Sequence, residues 1–490
     1  MWHDFIQYHA NTRPHHIALV DRSNQTLYSY QQLEAKILGL ANQLLTLGVG
    51  VGDRVVFLAS ASLYHITLFF ACAKLGAILV PLNHRLSQLE VEEIVQQLDA
   101  RCLLTIGQQP GFVDVTSLSA GAHQPVTAVP LSDDHVMMIL YTSGSTGRPK
   151  GVLFHAAMIM ANMHHTVAAD VLRPTDISIV NTPFFHTGGY HVFCLPLLSI
   201  GGTLILHDRF DPGAVLSEIN QAGVSVFWAV PTMFQAIFDH PNFATTSFAN
   251  IRFFLSGGAP LSLALIQGYH RHGVPFKQGF GLTEVGPNCF LLETDQAFVR
   301  PDSIGKPMSH SQVLVVDEAG LQVAPNQVGE MLITGPHLCK GYWQQEELFR
   351  NSLKNGYFAT GDLVRMDEEG FFYVIGRKKE LYISGGENVF PGEVERQIAS
   401  HPEVVQVVVV GVPDEKWGET GLAFCVSRRP LTLEELRDFL NPRLARYKHP
   451  LHLLHLKEMP LLANGKINRP ALKKQGKEWI LSKQNSMTLA

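Results

Sequence analysis

The chain has 490 residues, of which 46% are hydrophobic and 17% charged; 38 Lys plus Arg stand against 43 Asp plus Glu, for a net charge of −5. That length exceeds one ordinary core and calls for a subdivided large domain or several domains. The balance excludes a disordered chain, and the mildly acidic total excludes wholesale nucleic-acid binding, which needs a basic surface.

From the N-terminus, Met1-Trp2-His3-Asp4 has neither the charged stretch nor the apolar core of a secretory signal. Gly48-Val49-Gly50-Val51-Gly52 reads as a helix-ending loop before a strand at 54–58, not as a dinucleotide site. The longest apolar stretch, 57–82, is broken by His65, Lys74, Gly76 and Pro81. A membrane span needs ~20 apolar residues with few charges. The stretch therefore predicts a buried helix, a Gly turn and a buried strand at 77–80. Six scattered cysteines include no CxxC pair and predict buried free thiols in a reducing compartment. A soluble, cytoplasmic protein without a transmembrane segment is expected.

Strand-like and helix-like runs alternate to about residue 380, with apolar strands at 203–206 and 224–227 as well. Continuous apolarity predicts strands covered on both faces, as in α/β layers. From about Ile304, short strands at 313–316, 329–333 and 371–374 are separated by Gly, Asp and Pro, which predicts a small β subdomain. After Arg377 a compact unit follows. Pro391 opens a helix through Ile398, 404–410 is a strand, and Thr432 and Glu435 have capping-box spacing for a helix reaching about Tyr447. The expected architecture is α/β. A large N-terminal domain, 1–378, is made of layered α/β subdomains plus the β subdomain at 304–378. A small mobile α+β C-terminal domain, 379–490, follows.

The strongest chemical signal is Tyr141-Thr142-Ser143-Gly144-Ser145-Thr146-Gly147-Arg148-Pro149-Lys150-Gly151, directly after an apolar strand. Small residues let backbone N–H groups and hydroxyls wrap phosphate oxygens, and Lys150 adds charge. The Walker A spacing is not met. From the residues alone, the run reads equally as a phosphate cradle or as a flexible Gly/Ser loop. The 23 histidines show no metal-ligand spacing; His164, His165, His452 and His455 are expected at or near the surface.

Five further segments follow in order: Gly279-Phe280-Gly281-Leu282-Thr283-Glu284, Thr360-Gly361-Asp362-Leu363, Gly376-Arg377-Lys378-Lys379-Glu380, Ser384-Gly385-Gly386-Glu387-Asn388-Val389 and Asn464-Gly465-Lys466-Ile467. Together with the Gly/Ser run they resemble the motifs of the adenylate-forming superfamily: acyl-CoA synthetases, standalone adenylation domains and beetle luciferases. The resemblance covers nearly the whole chain. It implies an ATP-dependent ligase that joins a carboxylic acid to AMP and then to coenzyme A, with Mg²⁺ as metal. An acyl-AMP ligase loading a carrier protein is the alternative for the second step.

The same resemblance implies the roles. Thr142, Ser143, Gly144, Ser145, Thr146, Gly147 and Lys150 hold the β- and γ-phosphates. Gly258 and Ala259, in the Gly257-Gly258-Ala259-Pro260 turn, meet adenine, and Gly279, Phe280 and Gly281 complete the nucleotide site. Asp362 and Arg377 hold the ribose. Thr283 bonds the α-phosphate, and Glu284 is both catalytic and the Mg²⁺ ligand. Lys466 bridges carboxylate and α-phosphate, and Lys379 is the hinge. Gly385, Gly386 and Lys448 serve CoA. The run 460–464 lacks the cation often found before the Gly-Lys of this family.

The acyl pocket is expected at His186, Phe234, Gly281 and Pro287, with Trp228, Phe184, Phe185, Met233 and Phe290 forming an apolar cleft. Phe234 matches the place of a gating aromatic, or is simply core. No acid lies near His186 to pair a substrate ammonium, so amino acids are disfavoured. Spacing looks closest to medium/long-chain fatty-acid–CoA ligases, with o-succinylbenzoate–CoA ligase as competitor. No pocket cation for a second carboxylate is evident. A fatty or aryl acid is the expected substrate. The assembly state is left open, with a homodimer among the candidates.

Overall fold

Apolar strands paired in parallel organise the first part of the chain. The protein is seen in a computed structural model, which describes residues 2–118, 126–143, 149–168, 171–259, 261–462 and 466–488. One six-stranded sheet runs in the order Val113–Asp114, Cys102–Thr105, Arg54–Leu58, Ile78–Leu82, Val136–Ser143, Pro149–His155. All its pairings are parallel except the last, a hairpin that brings Thr142 opposite Lys150. The stretch 57–82 folds as anticipated into the helix Leu63–Leu75, a left-handed Gly76 and a strand. That strand continues through Pro81 to Leu82, beyond the predicted residue 80. The proline sits in parallel register with Phe57, and the pairing on the other side of the strand is confined to Leu79 and Met138.

A four-stranded sheet joins Thr26–Ser29, Ile17–Asp21, Thr203–Leu206 and Ile177–Val180. A three-stranded parallel sheet joins Val226–Ala229, Phe253–Ser256 and Phe276–Gln278. Its register sets two rows of side chains on opposite faces, because residues paired across a sheet point the same way while neighbours along a strand alternate. Phe227, Phe254 and Phe276 form one row, and Trp228, Leu255 and Lys277 form the other.

Antiparallel strands then take over. Gln312–Val316, Val328–Thr334, Tyr357–Met366, Phe372–Arg377 and Leu353–Lys354 form one sheet. The last sheet contains Tyr382–Ser384, Glu387–Val389, Val404–Asp414 and Gly418–Ser427, with His452–His455 added in parallel. The helix Pro391–Ala399 packs against it, and Thr432 with Glu435 makes the reciprocal cap expected. The helix begun there ends at Leu440, not near Tyr447. Pro442 ends it, having no N–H to donate and a ring that crowds the preceding turn.

All six cysteines are free and buried. His165 departs from expectation: it is buried, not at the surface, with Nδ1 2.9 Å from the Asn288 carbonyl oxygen. Among the described residues no helix is long and apolar enough to cross a membrane.

Candidate active site

The carboxyl ends of the three-stranded sheet, the turn after it and the last residues of Phe372–Arg377 converge on one cleft. Ligands of α/β folds bind beyond such strand ends. Gly279 continues Phe276–Gln278, and its N–H donates to the Ser256 carbonyl at 2.8 Å. The chain then reverses within residues 281–287, where the Leu282 N–H donates to the Gly286 carbonyl at 3.1 Å. Gly281 is required there: a Cβ would lie 2.3 Å from the Gly286 oxygen. This turn presents Thr283 and Glu284, both half-buried.

Glu284 is fixed from two sides. Its carbonyl accepts the Cys339 N–H at 2.7 Å, and its carboxylate accepts the Tyr342 hydroxyl at 2.9 Å. Tyr342 is held because its segment bridges to Val152, with Trp343 N–H on the Gly151 carbonyl at 2.7 Å. Lys150, on the same strand, places Nζ 5.0 Å from the Tyr342 ring centroid. Thr142, Lys150, Tyr342 and Glu284 therefore form one connected wall. Gly144, Ser145, Thr146 and Gly147 lie outside the described residues, as do Pro260, Asn464, Gly465 and the side chain of Ser143.

Asp362 is 3% exposed and faces Arg377 across the antiparallel ladder. The guanidinium Nε is 2.9 Å from one carboxylate oxygen, and the second pairing is 3.4 Å. Burial pushes the Asp362 carboxyl up to about 6, against the pull of Arg377; Glu380 adds to the push and Lys466 opposes it. The Lys466 ammonium is lowered by its enclosure and by Arg377, with Asp362 countering. Its side chain has substantial accessible surface, so the enclosing protein lies around a lysine at the mouth of the cleft. Lys466 is also near enough to His186 to help hold that imidazole down at about 4, after burial and ahead of Arg85. His186, Asp362, Arg377 and Lys466, far apart in the chain, thus lie around one cleft.

With its pKa at about 4, His186 is neutral at pH 7, and its Nε2 is buried without a hydrogen-bond partner among the described residues. Just after it, Gly188 lies against the Trp228 indole, where a Cβ would fall 2.4 Å from Cη2. The other edge of Trp228 approaches Gly257, whose Cβ position is 3.9 Å from Nε1. His186, Gly188, Trp228, Gly257 and Gly279 form a flat wall.

Phe234 is not in that wall. It is 0% exposed and packs on Phe227, Phe254, Tyr269 and Phe276, on the opposite face of the sheet. Phe290 turns towards Phe280 and Phe372. Phe234 is a core residue, and Phe290 stands away from the Trp228 wall, beside the cavity at Lys277. Trp228, expected in the apolar cleft, is the centre of the wall; Lys277, which lies two strands along the same row, is not among the residues the sequence singles out.

A family profile described as AMP-binding enzyme matches residues 6–343, and one described as AMP-binding enzyme C-terminal domain matches residues 393–466. The chain belongs to the AMP-binding enzyme family. This AMP-binding enzyme is 36% identical over 472 residues to a feruloyl-CoA synthase of Amycolatopsis sp, covering 94% of this chain and 95% of that protein. It is 32% identical to an indoleacetate–CoA ligase of Aromatoleum aromaticum, covering 95% and 96%. Among solved structures, the o-succinylbenzoate–CoA synthetase of Bacillus subtilis in complex with ATP and magnesium ion superposes with a TM-score of 0.87 at 29% identity, covering 96% and 99%. The chain is accordingly an AMP-forming acid–CoA ligase, using ATP with Mg²⁺ and CoA as co-substrate. Glu284 fits the metal: a single carboxylate, anchored through one oxygen by Tyr342, suits an ion that takes most of its other ligands from phosphates and water.

The remaining candidate site residues of this AMP-binding enzyme lie around the junction of the last two sheets. Lys379 is exposed in the short turn Lys378–Glu380, and its neighbour Lys378 pairs with Glu330 at 3.1 Å. Gly385 and Gly386 form a two-residue hairpin turn between Ser384 and Glu387, with φ of 60° and 86°, which non-glycine residues resist. Lys448 is held by both oxygens of Glu393, at 2.7 and 2.8 Å.

Proposed function

We propose that this ligase activates an aryl acid in two steps at one site. The acid's carboxylate attacks the α-phosphorus of ATP and pyrophosphate leaves. The CoA thiol then attacks the acyl carbon and AMP leaves. One observation carries the reading: the electrostatic reach of Lys466 covers His186, Asp362 and Arg377 at once. A lysine within reach of all three supports a role in bringing carboxylate, α-phosphate and ribose together.

In this reading Thr142 to Lys150 hold the β- and γ-phosphates, Thr283 bonds the α-phosphate and Glu284 holds Mg²⁺. Gly258, Ala259 and the segment Gly279-Phe280-Gly281 border the adenosine, and Asp362 accepts ribose hydroxyls beside Arg377. Lys466 neutralises charge as it develops, which is worth most when the donor is fixed beforehand. After adenylation the unit beyond Lys379 turns, withdrawing Lys466 and bringing Gly385 and Gly386 to the pantetheine. Lys448 meets CoA phosphate only if it exchanges Glu393 for it.

The aryl preference is supported by the slot itself. Trp228 pressed on Gly188 leaves a flat apolar face suited to a planar ring, and the two relatives named above act on ring-bearing acids. The test is thioester formation with ATP and CoA across cinnamate, indoleacetate, o-succinylbenzoate, amino acids and fatty acids of graded length. Planar aryl acids should give the highest kcat/KM. A preference for fatty acids that grows with each methylene would overturn the aryl reading, and acyl-AMP without thioester would overturn CoA as acceptor.

A further inference from the structure

Lys277 is 4% exposed on the outer strand of the three-stranded sheet, and among the described residues its side chain makes no hydrogen bond or ion pair. Its ammonium lies 4.1 Å from the Phe253 ring centroid. A buried cation resting on an aromatic face gains part of what it loses in hydration, not all of it. Burial, with Arg252 adding to it, lowers the ammonium to about 8, against a weak pull from Glu293 and Asp295. The side chain lines a cavity of about 20 Å³ with Phe253, Leu255, Gly279, Pro287 and Phe290. The other polar side chains at that cavity have their donors engaged: Thr166 on the Asn162 carbonyl, Gln278 on Pro301, and Asn288 on Thr166, His191 and Val192.

The position is informative. Trp228, Leu255 and Lys277 occupy one row on one face of the sheet. Two inter-strand spacings separate the indole from the lysine, ~10 Å. Gly279 and Pro287 border both the cavity and the turn that carries Thr283 and Glu284. An acid with its carboxylate at His186 and Lys466 and its ring along Trp228 points its far end at Lys277. The cavity has room for one water-sized group, which admits a hydroxyl and not a carboxylate.

We propose that Lys277 forms an oxygen-binding subsite at the far end of the acyl pocket, which selects aryl acids carrying a hydroxyl remote from the reacting carboxylate. The ammonium donates to the substrate oxygen, and the surrounding phenyl groups exclude water from the bond. This deepens the function proposed above and rests on it. A hydrogen bond from a charged donor in such a place is worth roughly tenfold to a hundredfold in discrimination.

The experiment compares kcat/KM for CoA thioester formation with cinnamate, 4-hydroxycinnamate, 4-methoxycinnamate and 4-carboxycinnamate, in the wild-type protein and in Lys277→Met. Wild type should favour the hydroxy acid over cinnamate by roughly ten- to a hundredfold and disfavour the methoxy and carboxy acids. In Lys277→Met the ratio of hydroxy acid to cinnamate should fall towards one; being a ratio, it does not depend on how much variant is folded. An unchanged ratio in the variant would show that Lys277 serves only to pack on Phe253. Equal use of cinnamate and its hydroxy form by wild type, or a preference for the carboxy acid, would overturn the subsite even if the variant fails to fold. No thioester from any aryl acid would instead bring down the proposed reaction, and this subsite with it.

Discussion

The Tyr342 hydroxyl donates to the Glu284 carboxylate at 2.9 Å while the same ring carries Lys150. Tyr342 thereby orients Glu284, the proposed metal ligand, and Lys150, the proposed phosphate cation, together. Tyr342→Phe keeps the ring and deletes the hydrogen bond to a carboxylate, worth about 1.5–3 kcal/mol. Adenylation measured by ATP–pyrophosphate exchange should fall by roughly tenfold to a hundredfold, and the Mg²⁺ concentration for half-maximal rate should rise. An unaltered Mg²⁺ dependence would remove Tyr342 from metal positioning.

Lys466→Ala should cost roughly 10²–10³-fold in acyl-AMP formation, the scale of losing a transition-state donor, and spare thioester formation from supplied acyl-AMP. A second readout needs no catalysis. Lys466 helps keep the His186 imidazole at about 4, so its removal should raise that pKa, observable by NMR titration of the ring. Equal loss in both half-reactions, or a His186 titration that does not move, would contradict the placement of Lys466 over the acid.

Asp362 gives a pH prediction. Its folded pKa, about 6, lies above the ordinary carboxylate value because burial outweighs Arg377. The folded chain therefore holds this proton more tightly than the unfolded chain. The stability it contributes is present at low pH and fades as pH rises through about 6. Ribose binding needs the ionised acceptor and runs the other way: adenosine affinity should weaken towards tenfold per unit below about pH 6. Adenosine binding to Asp362→Asn should be weaker and flat across that range. A wild-type affinity that does not change between pH 5 and 7 would count against Asp362 as the ribose acceptor.

The proposed swing can be stopped at its pivot. Lys379→Pro fixes φ near −65°, so the unit beyond it should stay where Lys466 faces the cleft. Pyrophosphate release in a single turnover should persist while acyl-CoA yield in the same sample collapses. Normal acyl-CoA production by the variant would show that rotation at Lys379 is not part of the cycle.

Away from the site, Lys74 is buried between Asp4 and Glu34, at 2.5 and 2.7 Å. Lys74→Met should destabilise the fold by about 3–5 kcal/mol, because it strands Glu34 in the core. Chemical denaturation would measure it. The loss should shrink at acid pH, where Glu34, already raised by burial, takes up a proton.

Much of this was legible in the chain because the motifs are local. The Thr360-Gly361-Asp362 and Gly376-Arg377 segments need only one antiparallel ladder to bring Asp362 and Arg377 together. The acyl wall was harder, since it depends on which face of a strand each side chain takes. In Val226-Phe227-Trp228 and Phe253-Phe254-Leu255 every residue is apolar, so alternation gives no sign of the binding face, and Phe234 was placed on the wrong side. Lys277 was the available signal. Lys277 lies between Phe276 and Gln278 in a strand whose neighbours are apolar, so it is buried there, and a buried cation asks for a partner. The Lys448–Glu393 pair was invisible because it joins residues 55 positions apart.

The Asp362 carboxylate answers to cations on both sides of the pivot: Arg377 just before it and Lys466 far beyond it. In the proposed cycle only Lys466 would leave, and Asp362 would then lose a counter-charge, so its proton affinity should climb and a ribose held by its ionised form should be held less well. If both proposed roles hold, the nucleotide would be held less firmly once Lys466 has left, and one carboxylate would couple the turn of the terminal unit to the departure of AMP.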